Sequence, residues 1–354
     1  MQESCIMKKS LLTIAVASGL MAAGAVNAEP TVYGHAQVEV ASWGGDADGT
    51  SVVDNARGRV GVKDVEDLGN GMKGLAKFEF KVDTADGDSG TAAGQGISLQ
   101  KREMLVGLKG GFGQVELGRL KSAYKYYGGV TYDPFVTTVL EARGNGGMTG
   151  KEGTGSAYGH FSFISDSIAY EMKTGGISFR LTYDLDNGGG DNVTNANGAN
   201  GYTAGFKFGA KDFEVILAFA NDDEETSSTN GNYSSAKIGG MYDFGAGGKL
   251  SAQYESATTD TGTSVDETAM YLDYQFKMDK SNIIDVAYGN TSDDVNGTTV
   301  ADVNFARVAY THKLSKQTKT WIGYRSSDDS KCTVVTATDI CKVTVIAVGL
   351  RKTF

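Results

Sequence analysis

Runs of about ten residues in which apolar and polar side chains alternate recur along this chain from residue 31 to its last residue. The clearest lie at 77–82, 177–183, 249–254 and 319–324. A period of two places successive side chains on opposite faces, so each run reads as a strand with one apolar and one polar face. No stretch with helical periodicity supplies a layer to cover those apolar faces. A single sheet of this length must therefore close on itself or stack. The connections decide between the two. Short ones at 173–176, 209–212 and 244–248 alternate with long polar ones at 186–200, 221–232, 291–302 and 328–341. Short turns on one rim and long loops on the other predict an all-β, transmembrane antiparallel β-barrel. The pairs add up to 16 strands, from 31–40 and 55–64 to 318–327 and 342–354. A barrel that wide cannot fill its interior with side chains and leaves an aqueous channel.

The N-terminal residues are expected to be removed. Lys8 and Lys9 precede an apolar run from Leu11 to Val26, and Val26-Asn27-Ala28 puts small residues where a signal peptidase reads. Residues 1–28 are assigned to a cleaved signal peptide and 29–354 to one barrel domain. Beyond the leader no apolar run approaches the length of a membrane-spanning helix. The 2 Pro and 49 Gly among 354 residues suit long paired strands, because Pro removes a ladder donor. A mean hydropathy of −0.25 is compatible with a barrel, which shows apolar residues to lipid only at alternate positions. The net charge of −10, with no basic stripe, argues against nucleic-acid binding. Cys332 and Cys341, in an exported chain, read as a disulfide closing a small loop.

One connection breaks the pattern. Between residues 122 and 163 no good strand appears, and a stretch that long is expected to be functional. It carries Tyr124, Tyr126, Tyr127, Tyr132 and Phe135, too apolar a set for a solvated tail. It is expected to fold back into the barrel and narrow it.

Three stretches carry a resemblance. NARGRVGVKDVEDLGNGMKG (55–74), REMLVGLKGGFGQVELGR (102–119) and the ending VGLRKTF (348–354) are similar to Gram-negative general diffusion porins, the last nearer their neisserial-type branch. The resemblance implies a homotrimer of outer-membrane channels whose third loop lines a constriction, with basic wall residues facing acidic loop residues. It also implies passage of small hydrophilic solutes, no cofactor, and contacts with lipopolysaccharide, periplasmic chaperones and the barrel-assembly machinery.

Position by position, Arg59 and Arg102 match wall arginines of that family, and Arg119 matches the one that begins the third loop. Strand parity adds Arg57 and Lys77 to the basic wall, since Val60, Val62, Phe78 and Phe80 take the lipid face. The enteric Pro-Glu-Phe-Gly-Gly signature is absent, which leaves Asp133, Glu141 and Glu152 as open candidates for the acidic side. Glu103 falls on the lipid parity, where a charge is costly at mid-bilayer, so a rim or subunit-interface position is expected. Trp43 and Trp321 are assigned to the interfacial girdles. Tyr124, Tyr126, Tyr127 and Tyr132 permit a rival function, a stacking track in a sugar-selective channel. The long polar loops permit a third, a non-conducting adhesin or receptor.

Enzymatic signatures are weak. Gly87-Asp88-Ser89-Gly90 resembles the surroundings of a protease serine, yet a triad needs an oriented His, and His35, His160 and His312 are not so placed. No catalytic or metal-binding residue is assigned. Phe354 ends an alternating strand and is expected to act as an assembly signal.

Overall fold

The computed structural model describes residues 29–47, 49–53, 58–82, 84–85, 99–149, 163–185, 201–222, 232–260, 262–332 and 341–354. The expected leader, Arg57, Glu152 and His160 lie outside these residues. Among the described residues the strands are β1 (Thr31–Gly45), β2 (Gly49–Val53), β3 (Gly58–Gly69), β4 (Met72–Val82), β5 (Leu99–Gly110) and β6 (Gly113–Lys121). They continue as β7 (Phe163–Thr174), β8 (Ile177–Asp184), β9 (Tyr202–Gly209), β10 (Phe213–Asp222), β11 (Asn232–Asp243) and β12 (Lys249–Asp260). The last are β13 (Ser264–Lys277), β14 (Asn282–Val295), β15 (Thr298–Lys313), β16 (Thr318–Asp329) and β17 (Lys342–Thr353).

From β3 onward each strand pairs antiparallel with the next, and β17 returns to pair with β1 from His35↔Thr353 to Gly45↔Val343. The ring is closed. The lower half of β1 pairs with β3 and its upper half with β2, so β2 and β3 are two pieces of one stave. Seventeen strands thus make a 16-stave barrel. Closure gives each stave a partner on both sides, the condition lipid imposes on a sheet, with the short β2 paired to β1 alone among the described residues.

The expected second strand at 55–64 is replaced by these two pieces. The long polar connection expected at 291–302 is also corrected. Here β14 and β15 run on to a two-residue turn at Asn296-Gly297, both with positive φ, 51° and 78°. Asn-Gly is the dipeptide that such a hairpin prefers. The flanking residues are polar and still strand, so the alternation of short and long connections is not strict.

The alternating faces separate as their chemistry requires. Val40, Val106, Phe206, Ile322 and Val348 stand exposed on the outside, while Gln37, Glu39, Glu79, Asp273, Arg307 and Arg325 are buried on the inside. The exposed apolar belt is the face a bilayer covers. On β17, Ile346, Val348 and Leu350 share the outer face with Phe354 just beyond the strand, and Lys352 reaches the turn residue Gln317 at 3.1 Å. The Phe354 amide and carbonyl both bond Gly34 at 3.1 Å, which closes the seam against β1. Cys332 and Cys341 are joined by a disulfide.

Trp321 is not a girdle residue. It shares the inward parity of Gly323 and Arg325 and is buried against Phe135, Val139 and Leu140, with Trp43 packed beside it. Its indole donates to Glu39 Oε1 at 2.9 Å. A buried Trp needs a partner for its N–H, and lipid offers none.

Candidate functional site

Two features occupy the inner face: a cluster of basic side chains on β3 to β5, and the segment 122–149 laid against the other staves. The cluster is organised by Glu79. Its carboxylate accepts from Arg102 Nε at 2.7 Å and from the Tyr33 hydroxyl at 3.0 Å, and Arg59 Nη1 lies 3.8 Å away. Lys77 forms an ion pair with Glu103 and sits 4.0 Å from Glu79.

Alternation alone cannot put both Arg102 and Glu103 here. The β4–β5 register passes from Phe78↔Met104 to Phe80↔Lys101, so Arg102 and Glu103 together oppose Glu79. This bulge turns both side chains inward. Glu103 is therefore neither at a lipid-facing rim nor in a lipid-side interface: it is an inner-wall residue paired with Lys77.

The cations and anions of the cluster differ in exposure. Side-chain exposure is 28% for Arg59, 25% for Lys77 and 12% for Arg102, against 5% for Glu79. The carboxylates lie behind and the cations in front. Of the expected basic wall, Arg59, Lys77 and Arg102 come together. Arg119 does not join them. It opposes Met104, its guanidinium donates to Ser165 Oγ at 2.6 Å, and Phe163 lies 5.9 Å from it.

The segment after β6 begins with a short helix, α1 (Ala123–Tyr126), capped by the Ser122 hydroxyl, which accepts from Lys125 N at 3.0 Å. It is then fastened to the wall at successive points. Gly129 N donates to Gln253 Oε1 at 2.5 Å, the Gln37 amide donates to Thr137 O at 2.7 Å, and Val139 N donates to Glu39 Oε2 at 2.8 Å. Lys237 bonds Tyr124 O and lies 4.1 Å from that ring's centroid, and the Thr149 hydroxyl bonds Glu255.

The strongest fastening is Arg307, wholly buried. It donates to Asp285 at 2.8 Å, to Asp273 at 2.9 Å, to the Tyr271 hydroxyl at 3.0 Å, and, from the segment, to Asp133 at 2.7 Å and Leu140 O at 3.0 Å. Charge-assisted hydrogen bonds of this kind are the strong ones in a site shielded from water.

Wall glycines make room for the segment. A side chain at Gly205 would put its Cβ 2.4 Å from the Tyr127 ring, and one at Gly323 would meet Leu140 Cδ1 at 2.5 Å. Gly289 lies against Gly147 in the same way.

These contacts change the roles expected of the loop acids. Asp133 is only 2% exposed; besides Arg307 it holds the amides of Phe135 and Ala142. Glu141 is 3% exposed, accepts from Thr137 N at 3.0 Å and pairs with Arg143. Both carboxylates are engaged in holding the segment's shape and seat, so neither stands as an open acid facing water.

The tyrosines are packing too. Tyr124, Tyr127 and Tyr132 are buried, the last two in the group that contains Ile216, Tyr271 and Phe305. Burial pushes the Tyr124 and Tyr132 phenols well above the ordinary tyrosine range, so they stay neutral. Tyr126 alone of the four keeps a partly open ring, 5.0 Å from the Arg180 guanidinium.

Spacing gave no sign of Glu39, Asp273, Asp285 or Arg307. The available signal was parity: each interrupts an apolar run on the face away from lipid, as Asp273 does between Leu272 and Tyr274.

A closed barrel with an apolar outer belt, a charged inner face and one long internal segment is the architecture of a channel-forming outer-membrane protein. The chain matches the Gram-negative porin family over residues 12–331 and belongs to it. It is 39% identical over 134 residues to the major outer membrane protein P.IB of Neisseria meningitidis serogroup B, a match covering 35% of this chain and 37% of that protein. It is 38% identical over 120 residues to outer membrane porin protein 32 of Delftia acidovorans, covering 32% of each. The chain thus aligns with well under half the length of these curated relatives. Among solved structures, the anion-selective porin from Comamonas acidovorans superposes with a TM-score of 0.71 at 20% identity, covering 93% of this chain and 100% of that one. OmpF of Salmonella typhi superposes with a TM-score of 0.67 at 16% identity, covering 92% and 97%. The protein is one of the outer membrane of a Gram-negative cell.

Proposed function

We propose that the protein is a porin through which small hydrophilic solutes and ions diffuse passively, and that it works as a homotrimer. The observation that carries this reading is the segment 122–149, fixed to the inner wall of a closed barrel by Gln37, Glu39, Lys237, Gln253, Glu255 and Arg307. A segment held so firmly narrows the lumen to a slot of constant shape. Arg59, Lys77 and Arg102 form the side of that slot facing water. Fixed charge of one sign in a narrow aqueous passage sorts ions by sign.

The narrow part prefers anions, because the cations stand forward of their carboxylates. The likeness to a porin from Comamonas acidovorans described as anion-selective supports this direction. A solved relative in trimer form, OmpT of Vibrio cholerae, supports the oligomeric state. Cleavage after Ala28 delivers the chain for export. The bonds of Phe354 to Gly34 support a role for that residue in closing the barrel during assembly.

Proteoliposome swelling tests the function. Vesicles carrying the purified protein are expected to swell in small sugars and amino acids at rates that fall steeply with solute size. Swelling no faster than in protein-free vesicles would reject a channel and favour a non-conducting surface protein.

A further inference from the structure

At the short-turn rim, on the side of the segment that carries Thr137, a cavity of about 640 Å³ opens between the turns that follow β13 and β15. Its walls carry Lys280, Lys313, Lys316, Lys319 and Arg351. Lys313, Lys319 and Arg351 take the inward parity of Arg307, Trp321 and Ala347 on their strands, and Lys280 and Lys316 come from the turns. The cavity therefore lies at the lumen's short-turn mouth.

Among the described residues no carboxylate lines it. The acid next to it, Asp279, is engaged within its own turn, accepting from Ser281 N at 2.6 Å and from Asn282 N at 2.8 Å. Arg351 is aimed by the Gln37 side chain and by Thr137 Oγ1 at 3.1 Å. Lys319 Nζ lies 5.6 Å from the Trp321 ring centroid. Among the described residues, none of these five cations pairs with an acid. Ser281, Ser315, Gln317 and Thr318 add neutral hydrogen-bond donors to the same walls.

Five cations converging on one concavity repel one another unless an anion sits among them. A planar guanidinium held in place beside several ammonium groups is a combination suited to carboxylate and phosphate oxygens. The volume falls in the range of small-molecule sites. We propose that this mouth is a discrete binding site for small organic or inorganic polyanions, compounds with two or more carboxylate or phosphate groups. The site would load such a solute at the short-turn mouth, separately from the sorting of ions in the narrow slot.

Titration calorimetry of the purified full-length protein in detergent, at low ionic strength, with citrate and with pyrophosphate, tests this. One saturable site per chain is expected for each, weakened about tenfold or more in Lys313→Gln/Lys316→Gln and weakened steeply by added salt. Both substitutions lie at the rim, so the variant should keep the heat-modifiable migration of a folded barrel. Lys207→Gln, elsewhere on the wall, should bind like the parent protein. Absence of saturable binding would overturn the proposal. So would binding unchanged in the double variant, or binding lost in Arg102→Gln instead. Binding is read without any current, so failure of this site and failure of the channel reading are distinguishable.

Discussion

Replacing Arg307 by Met should release the segment from the wall while leaving the barrel closed. Arg307 joins Asp133 of the segment to Asp273 and Asp285 of the wall, all buried, and also holds Leu140 O. Removing one partner of a buried ion pair costs about 3–5 kcal/mol, because the remaining charge is left unpaired. The other fastenings nearby, Gln37 to Thr137 O and Gly129 N to Gln253, are each worth about 1 kcal/mol net. At about 1.4 kcal/mol per factor of ten, the docking equilibrium constant falls by roughly two to three and a half powers of ten. The strand ladders do not depend on Arg307, so the variant should still migrate as a folded barrel. Single-channel recording should then show a larger and noisier open current. Limited proteolysis should cut within 122–149 where the parent resists. Adding Asp133→Asn removes one stranded carboxylate and should recover part of the loss. Open current and protease resistance identical to the parent's would refute the reasoning. So would a double variant worse than the single one.

Three further outcomes follow from the same contacts. Glu79→Gln should raise the anion-to-cation permeability ratio about sevenfold in reversal-potential measurements, since a unit charge ~7 Å from an ion in water is worth ~0.6 kcal/mol and its removal favours the anion and disfavours the cation by that much each; a shift toward cations would contradict it. Gly323→Val forces a side chain into the space of Leu140, an intrusion costing about 1–3 kcal/mol, and should raise single-channel conductance without loss of the barrel. Cys332→Ser should lower resistance to unfolding by up to about 3 kcal/mol on the chain-entropy account of so short a loop, and leave conductance unchanged.

Much of the fold is legible in the sequence, because lipid enforces parity strictly. Phe78 and Phe80 on one face and Lys77 and Glu79 on the other are legible in β4, and the structure keeps them so. Parity fails where the count slips. The two-for-one bulge at Arg102 and Glu103 moves an apparent lipid-facing acid to the inner wall, and nothing in the local sequence announces it. Trp321 misled for a different reason. An aromatic on an alternating strand suits a girdle or an internal seat equally, and only the docking of Phe135 and Leu140 decides. The strand ends at Asn296-Gly297 look like a polar loop because staves running past the bilayer into water need no apolar face. The loop acids were the least legible. Whether Asp133 faces water or a buried arginine depends on Arg307, 174 residues away in the chain.

The central claim, an open aqueous passage narrowed by a wall-fixed segment with cations in front, is tested most directly by planar-bilayer recording of the purified protein. A steady ohmic current that closes in three equal steps, with a reversal potential across a potassium chloride gradient on the chloride side of zero selectivity, is the predicted result. Insertion without any steady open current would contradict the channel itself, and a potassium-side reversal potential would contradict the reading of Arg59, Lys77 and Arg102 as its water-facing wall.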